Sequence, residues 1–99
     1  MNSISAIARS GMNVAQRHMD ASAHNVANAM TPEFRRQKVL QEAQPGGGVS
    51  SSVVRAEEPG PDLAADAVQQ MTALYNFKAN VMVVKTEHEM LGSLLDLKA

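Results

Sequence analysis

Apolar residues in the last third of the chain recur at alternating spacings of three and four positions. The row consists of Leu74, Phe77, Val81, Val84, His88, Leu91 and Leu95, with one histidine among the apolar residues. This is the a/d spacing of a heptad repeat, which is typical of a helix lying against another helix. Proline is absent after Pro61, and the first glycine of this stretch is Gly92. We therefore predict one long helix over about residues 62–97.

A second apolar stripe runs beside the first. Its members are Val68, Met71, Tyr75, Ala79, Met82 and, less regularly, Met90 and Leu94. Because one partner helix covers only one stripe, two stripes predict a helix that packs on more than one side. At about 1.5 Å per residue the helix is roughly 54 Å long, twice the ~26 Å expected across a compact chain of this length. The mismatch indicates assembly with other subunits.

The N-terminal segment repeats the same spacing. The positions are Ile4, Ile7, Gly11, Val14, His18, Ala21, Asn25 and Asn28. They predict a first helix over about residues 3–28, which Ser3 or Asn2 can cap. The helix should end before Thr31, because the residue before a proline is biased away from helical geometry. Glycine costs about 1 kcal/mol inside a helix, so Gly11 is interpreted as a point of close contact with a neighbour.

The connector over about residues 30–61 is predicted to be irregular or a short β-hairpin around Gly46, Gly47 and Gly48. Pro59, Gly60 and Pro61 then interrupt the chain, and Asp62 is placed to cap the second helix. The fold class is therefore mainly all-α, with two long helices in a coiled-coil-like hairpin. Antiparallel or steeply crossed helices are favoured, although the connector is long enough for parallel ones.

The composition limits the range of functions. Ninety-nine residues allow a single domain over residues 1–99, and a net charge of −1 implies no nucleic-acid partner. Cysteine is absent, which excludes disulfides, and no apolar run has the ~20 residues of a transmembrane helix. The first 29 residues resemble a transit peptide in composition, but the helix stop that follows favours a mature amphipathic helix.

Candidate chemistry is sparse. His18, His24 and His88 have no metal-ligand spacing, and no Ser/His/Asp set is placed by a known motif. The glycine run lacks the lysine of a phosphate-binding loop. We expect no enzyme activity, catalytic residue, metal or cofactor. The basic residues Arg35, Arg36 and Lys38 form either a solvated edge or a contact with acidic neighbours in a polymer.

Two segments carry a resemblance to a known family. The run from Ser22 to Gln37 (SAHNVANAMTPEFRRQ) is similar to the N-terminal signature of bacterial flagellar basal-body rod and hook proteins, in which a helix ends in Ser-x-Asn-Ile/Val-Ala-Asn and is followed by Thr, a turn and an aromatic. The run from Asn80 to Lys98 (NVMVVKTEHEMLGSLLDLK) resembles the closing helix of the rod family, nearest to its proximal-rod members. The matching motif residues are Asn25, Asn28, Thr31, Phe34, Asn80, Lys85 and Thr86.

The resemblance implies a structural subunit of the rod that polymerises through its terminal helices. Its partners would be other rod proteins, further copies of itself and the flagellar type III export apparatus. Its place would be the periplasmic rod of the basal body, reached without a cleaved signal peptide. By the heptad spacing, Leu91 and Val84 should lie in the packing seam and Glu87 on an exposed outer face.

The chain departs from the family pattern in three places. Glu33 stands where the family has glycine, which argues against a left-handed turn there. Leu74 and Tyr75 replace the family's Gln-Arg. The β-rich insertion between the helices is reduced to residues 39–60. The short middle favours an alternative, a soluble rod-like adaptor or regulator of flagellar assembly or export. Retention of both terminal motifs favours the rod subunit.

Overall fold

Two helices and a small hairpin make up the computed structural model, which describes residues 3–98. The elements are α1 (Ile4–Ala27), β1 (Gln37–Ala43), β2 (Val49–Arg55) and α2 (Leu63–Lys98). The mainly helical fold with a β-hairpin connector is thereby confirmed. The molecule measures 64 × 25 × 14 Å, and its radius of gyration of 17.5 Å exceeds the ~13 Å of a compact chain of this length.

Side-chain caps define where both helices begin. The Ser3 hydroxyl accepts a hydrogen bond from the backbone N–H of Ala6 at 3.1 Å, and the Asp62 carboxylate accepts one from Ala65 at 3.1 Å. Each cap satisfies an N–H group that has no partner within its helix. The alternative cap, Asn2, lies outside the described residues.

The turn after α1 contains a residue with left-handed backbone geometry. Glu33 has φ of 59°, so the sequence argument against a left-handed turn at this position was wrong. Contacts on either side hold the turn in place. The Phe34 ring packs edge-on against His24 at 5.4 Å between centroids, and the Gly60 N–H donates to the Phe34 carbonyl at 3.0 Å. A non-glycine residue persists in such geometry where the surrounding structure determines it.

The hairpin pairs β1 with β2 in antiparallel register from Gln37 opposite Arg55 to Ala43 opposite Val49. It packs on α1, where the Ser10 hydroxyl accepts a hydrogen bond from the Val49 N–H at 3.0 Å. Gly48 has φ of 89°, and a Cβ there would lie 2.8 Å from the Ser10 oxygen. The loop therefore needs glycine at this position for two reasons, backbone geometry and close approach.

The two helices run antiparallel. Four contacts join them in order: Ser5 with Glu87, Gly11 with Asn80, His18 with Gln69, and Asn25 with Asp66. Early positions of α1 meet late positions of α2, which resolves the orientation that the sequence left open. Gly11 is a point of close contact, because a Cβ there would lie 2.7 Å from the Asn80 amide nitrogen.

The helix interface is built from small and polar residues. The buried apolar residues are Ala8, Val14, Ala15, Ala21 and Ala73. On α2, the residues that face α1 recur every seven positions at Asp66, Ala73, Asn80 and Glu87. This row is displaced by one residue from the Leu74, Val81 and His88 row that the heptad spacing suggests. Small residues on α1 bring the helices close enough for short polar side chains to reach across.

The predicted seam residues are consequently divided. In α2, Phe77 and Val84 are partly buried and His88 is exposed, whereas four others are 42–68 % exposed: Leu74, Val81, Leu91 and Leu95. In α1, Val14 is buried, but Ile4 and Ile7 are exposed. The expectation that Glu87 lies on an exposed face was wrong, because Glu87 is partly buried and accepts a hydrogen bond from Ser5.

Candidate functional site

A buried polar cluster joins α1, β1 and α2 at one end of the molecule. Asn25 is 1 % exposed, and its side chain is bonded twice to the backbone of Gln37. The Gln37 N–H donates to the Asn25 oxygen at 2.7 Å, and the Asn25 nitrogen donates to the Gln37 carbonyl at 3.0 Å. The same nitrogen lies 3.3 Å from a carboxylate oxygen of Asp66. One asparagine thus holds the start of the hairpin against both helices.

Asp66 carries the charge of this cluster. Its side chain is fully buried, and its Oδ1 forms an ion pair with the Arg36 guanidinium, whose side chain is 14 % exposed. The hydrogen bond to Asp66 raises the pKa of Arg36 above its ordinary value, so the guanidinium stays charged. Burial of a charge is tolerated when it is paired in this way.

One donor and one acceptor of this pair have no protein partner among residues 3–98. They are the Arg36 Nε and the Asp66 Oδ2. Both belong to the ion pair itself, and they are the two atoms that a bidentate guanidinium–carboxylate geometry would bring together. The cluster therefore acts as a structural joint between the hairpin and the two helices.

The motif residues near the end of α1 have structural roles. The Asn28 side chain donates to the His24 carbonyl at 3.0 Å and accepts from the Thr31 hydroxyl at 3.3 Å. Phe34 covers the turn by packing on His24. Together with Asn25, these residues close α1 and direct the chain into β1. In α2, Asn80 lies against Gly11, while Lys85 and Thr86 are exposed.

The outer stripe of α2 is an extended apolar feature that the described residues leave uncovered. We define it as Val68, Met71, Tyr75, Met82 and Met90, which are 58–75 % exposed. These residues belong to the second stripe of the sequence pattern. Four of them, all but Met90, lie on the side of α2 away from α1, because the row that faces α1 is Asp66, Ala73, Asn80 and Glu87. Met90 lies nearer to α1, one helical turn after Glu87, and lines a groove with Ile4. Uncovered apolar stripes of this kind mark interaction sites.

An apolar groove lies beside the stripe. It is lined mainly by Ile4, Met82, Val83, Met90, Leu91 and Leu94. Beyond the contact between Ser5 and Glu87, the large apolar residues of α2 from Met90 to Leu97 are all at least half exposed. The groove and the outer stripe therefore form one continuous surface along the C-terminal half of α2.

The described residues show no arrangement typical of metal binding. Across residues 3–98, no three His, Cys, Asp or Glu side chains lie close enough together to hold an ion. His18 bridges Gln69 of α2, at 2.7 Å, and Gln41 of β1, at 3.1 Å.

Among residues 3–98, no helix is long and apolar enough to cross a membrane.

Sequence reasoning missed the roles of Asp66, Arg36 and Gln69. The sequence by itself indicates Asp66 only as an acidic residue in the first turn of α2, where it suits the helix dipole. A signal was present in the recurrence of Asp66, Ala73, Asn80 and Glu87 at intervals of seven, which places four small or polar residues on one face. That row is easily overlooked beside the stronger apolar row next to it.

No protein-family model matches the chain, and no curated protein is significantly similar to it.

Proposed function

We propose that the chain is a structural subunit of the bacterial flagellar basal-body rod. The observation that carries the proposal is the outer face of α2, which presents regular apolar residues that the rest of the chain leaves uncovered. The terminal sequence motifs give this surface its interpretation, because they resemble the helices through which rod proteins assemble. The shape supports it too, since a molecule 64 Å long and 14 Å thick suits side-by-side packing.

Helices of neighbouring subunits would cover the exposed apolar rows. Leu74, Val81, Leu91 and Leu95 keep the heptad spacing that a coiled-coil partner requires. In this proposal they pack between subunits, while the small and polar row holds α1 within each subunit. The neighbours would be other rod proteins or further copies of the chain, delivered to the periplasm by the flagellar export apparatus.

A soluble adaptor that binds rod proteins is the second candidate. It is favoured by the size of the connector, which forms only two seven-residue strands. Such a hairpin supplies little surface for contacts beyond the helices. An adaptor would use the same exposed face of α2 to bind a rod protein without being incorporated into the rod.

Complementation of a deletion strain distinguishes the two candidates. Leu91→Asp places a carboxylate on the exposed apolar face, and burying it against a neighbour costs several kcal/mol unless it is neutralised. Leu91 is 50 % exposed, so the fold itself should tolerate the change. We expect Leu91→Asp to abolish swimming and to be missing from purified basal bodies. The volume-conserving Leu91→Met should support swimming and be present in basal bodies.

The two outcomes are read from the same strains. A rod subunit is present in basal bodies of the wild type, and its deletion stops motility. If the deletion strain swims normally, or if the wild-type protein is missing from basal bodies of motile cells, the rod-subunit proposal is wrong.

A further inference from the structure

Four charged residues border the outer stripe along one side of its C-terminal half. Lys78, Lys85, Glu89 and Asp96 lie on one side of α2, because their spacings of seven, four and seven residues return to the same face. All four side chains are exposed. The ion pair found within residues 3–98 is Arg36 with Asp66, so these four charges have no ionic partner in the described part of the chain.

The order of these charges is symmetric about Glu87. Lys78 precedes Glu87 by nine residues, and Asp96 follows it by nine. Lys85 precedes it by two residues, and Glu89 follows it by two. The row is therefore basic before this point and acidic at the same distances after it. Glu87 itself turns toward Ser5 of α1 and does not take part in this row.

We propose that a second copy of this chain docks antiparallel on the C-terminal half of the outer stripe, with a two-fold axis near residue 87 of α2. One register then places Lys78 opposite Asp96 of the second copy and Lys85 opposite its Glu89. The two-fold axis repeats both pairs, so four ion pairs border the contact. A parallel two-fold pair would instead place the two charged rows on opposite edges of the contact, where these charges form no pairs between the copies.

The apolar residues suit the same register. Met82 and Met90 lie on either side of the axis, so the methionines of one copy come within about one helical turn of those of the other. Thr86 lies close to the axis, and Ala79 is brought near the leucines at the C-terminal end of the second copy. Flexible methionine side chains adapt readily to such a contact, and the small alanine leaves room for a neighbouring leucine.

The size of the contact predicts a weak dimer. The overlap covers about 23 residues, or roughly 34 Å of helix about 10 Å wide. The resulting strip of ~340 Å² is of the size that marks an interaction site but is smaller than the ~800 Å² per partner of a stable complex. We therefore expect a dissociation constant in the micromolar range. A two-fold contact closes on two copies and does not propagate, so this dimer is separate from any polymer.

Charge reversal tests the register. Sedimentation equilibrium at low ionic strength should show a dimer for the wild type. The Lys78→Glu/Lys85→Glu variant should dimerise about tenfold less tightly, because four attractive pairs become repulsive. Adding Glu89→Lys and Asp96→Lys to that variant restores opposite charges in the same register, and affinity should return to near the wild-type value. Because all four positions are exposed, we expect the variants to keep their helices. Far-ultraviolet circular dichroism is the control for this.

Introduced cysteines test the orientation, because the chain has none of its own. Thr86→Cys lies near the axis and should cross-link to itself under mild oxidation. Met71→Cys, on the same stripe, would be about 48 Å from its counterpart and should not. A parallel pair would cross-link at both positions.

Three results would overturn the proposal. They are a wild-type protein that stays monomeric at high concentration, a Lys78→Glu/Lys85→Glu variant with unchanged affinity, and Met71→Cys cross-linking as readily as Thr86→Cys. None of these results bears on complementation of the deletion strain, so failure of the dimer and failure of the rod-subunit proposal are distinguishable.

Discussion

Asp66 illustrates, at the scale of single residues, how one buried carboxylate joins distant parts of the chain. It lies in the first turn of α2, where a negative charge is favourable for the helix dipole. Its side chain nevertheless points inward, to Arg36 before β1 and Asn25 on α1. Removal of either charged partner leaves the other charge buried without compensation.

We expect Asp66→Ala to cost about 3–5 kcal/mol of unfolding free energy, because Arg36 loses its partner. Total stabilities of domains are about 5–15 kcal/mol, so this variant should be close to unfolding. Urea denaturation followed by circular dichroism measures the change. Asp62→Ala is the matched control: it removes only an exposed cap four residues earlier and should cost about 1 kcal/mol. Equal losses in the two variants would contradict the role of the buried pair.

Replacing both partners gives the complementary test. Asp66→Leu combined with Arg36→Met removes the pair and leaves apolar side chains of similar volume. We expect this double variant to recover most of the stability that Asp66→Ala loses. A double variant as unstable as Asp66→Ala would show that the unpaired charge does not determine the loss.

At the scale of elements, the contact between α1 and α2 depends on close approach. Alanines and Gly11 on α1 face Ala73 and Asn80 on α2, and polar side chains bridge the gap at Ser5, His18 and Asn25. Such an interface buries little apolar area. It holds the register of the helix pair chiefly through its hydrogen bonds, which leaves the large apolar residues of α2 for other contacts.

Gly11 provides a test of this close approach. Gly11→Ala should gain about 1 kcal/mol of helix propensity. The added methyl group, however, meets the Asn80 side chain at 2.7 Å, and Asn80 is held by a 2.9 Å hydrogen bond to the Asn76 carbonyl. We expect the single variant to be no more stable than the wild type. In an Asn80→Ala background the clash is absent, so Gly11→Ala should there raise stability. Thermal denaturation of the double variant, compared with Asn80→Ala alone, measures this gain. A stabilising Gly11→Ala single variant would show that the helices are not in close contact here.

At the scale of the whole molecule, order should differ between the two ends of α2. The Asn25–Asp66–Arg36 cluster fastens one end, whereas the α2 residues from Met90 to Leu97 present mainly exposed apolar side chains. Segments with few buried contacts open most readily.

Hydrogen exchange at low protein concentration should therefore show slow exchange near Asp66 and Ala73 and fast exchange from Met90 onward. As concentration rises, protection should increase from about residue 76 to the C-terminal end, where a second copy covers the helix, and not at residues 63–72. Protection that is uniform along α2 at low concentration would contradict this gradient.

Much of the local structure was accessible from the amino-acid sequence because it depends on neighbouring residues. The caps at Ser3 and Asp62, the helix stop before Pro32 and the glycine turn of the hairpin all act within a few positions of chain. Heptad spacing likewise reveals that α2 has two apolar faces. These features predict the elements and their order without knowledge of how they pack.

Only the tertiary structure decided which face of α2 meets α1. The row of Asp66, Ala73, Asn80 and Glu87 is chosen because α1 offers small residues and hydrogen-bonding groups at matching positions up to 82 residues away in the chain. The apolar spacing that predicts a seam is equally compatible with a face turned outward, since hydrophobic burial has no preferred partner. Tertiary contacts also decided the backbone conformation of Glu33. Local preference opposes its left-handed geometry, and the contacts of the next residue, Phe34, with His24 and Gly60 hold the turn in place.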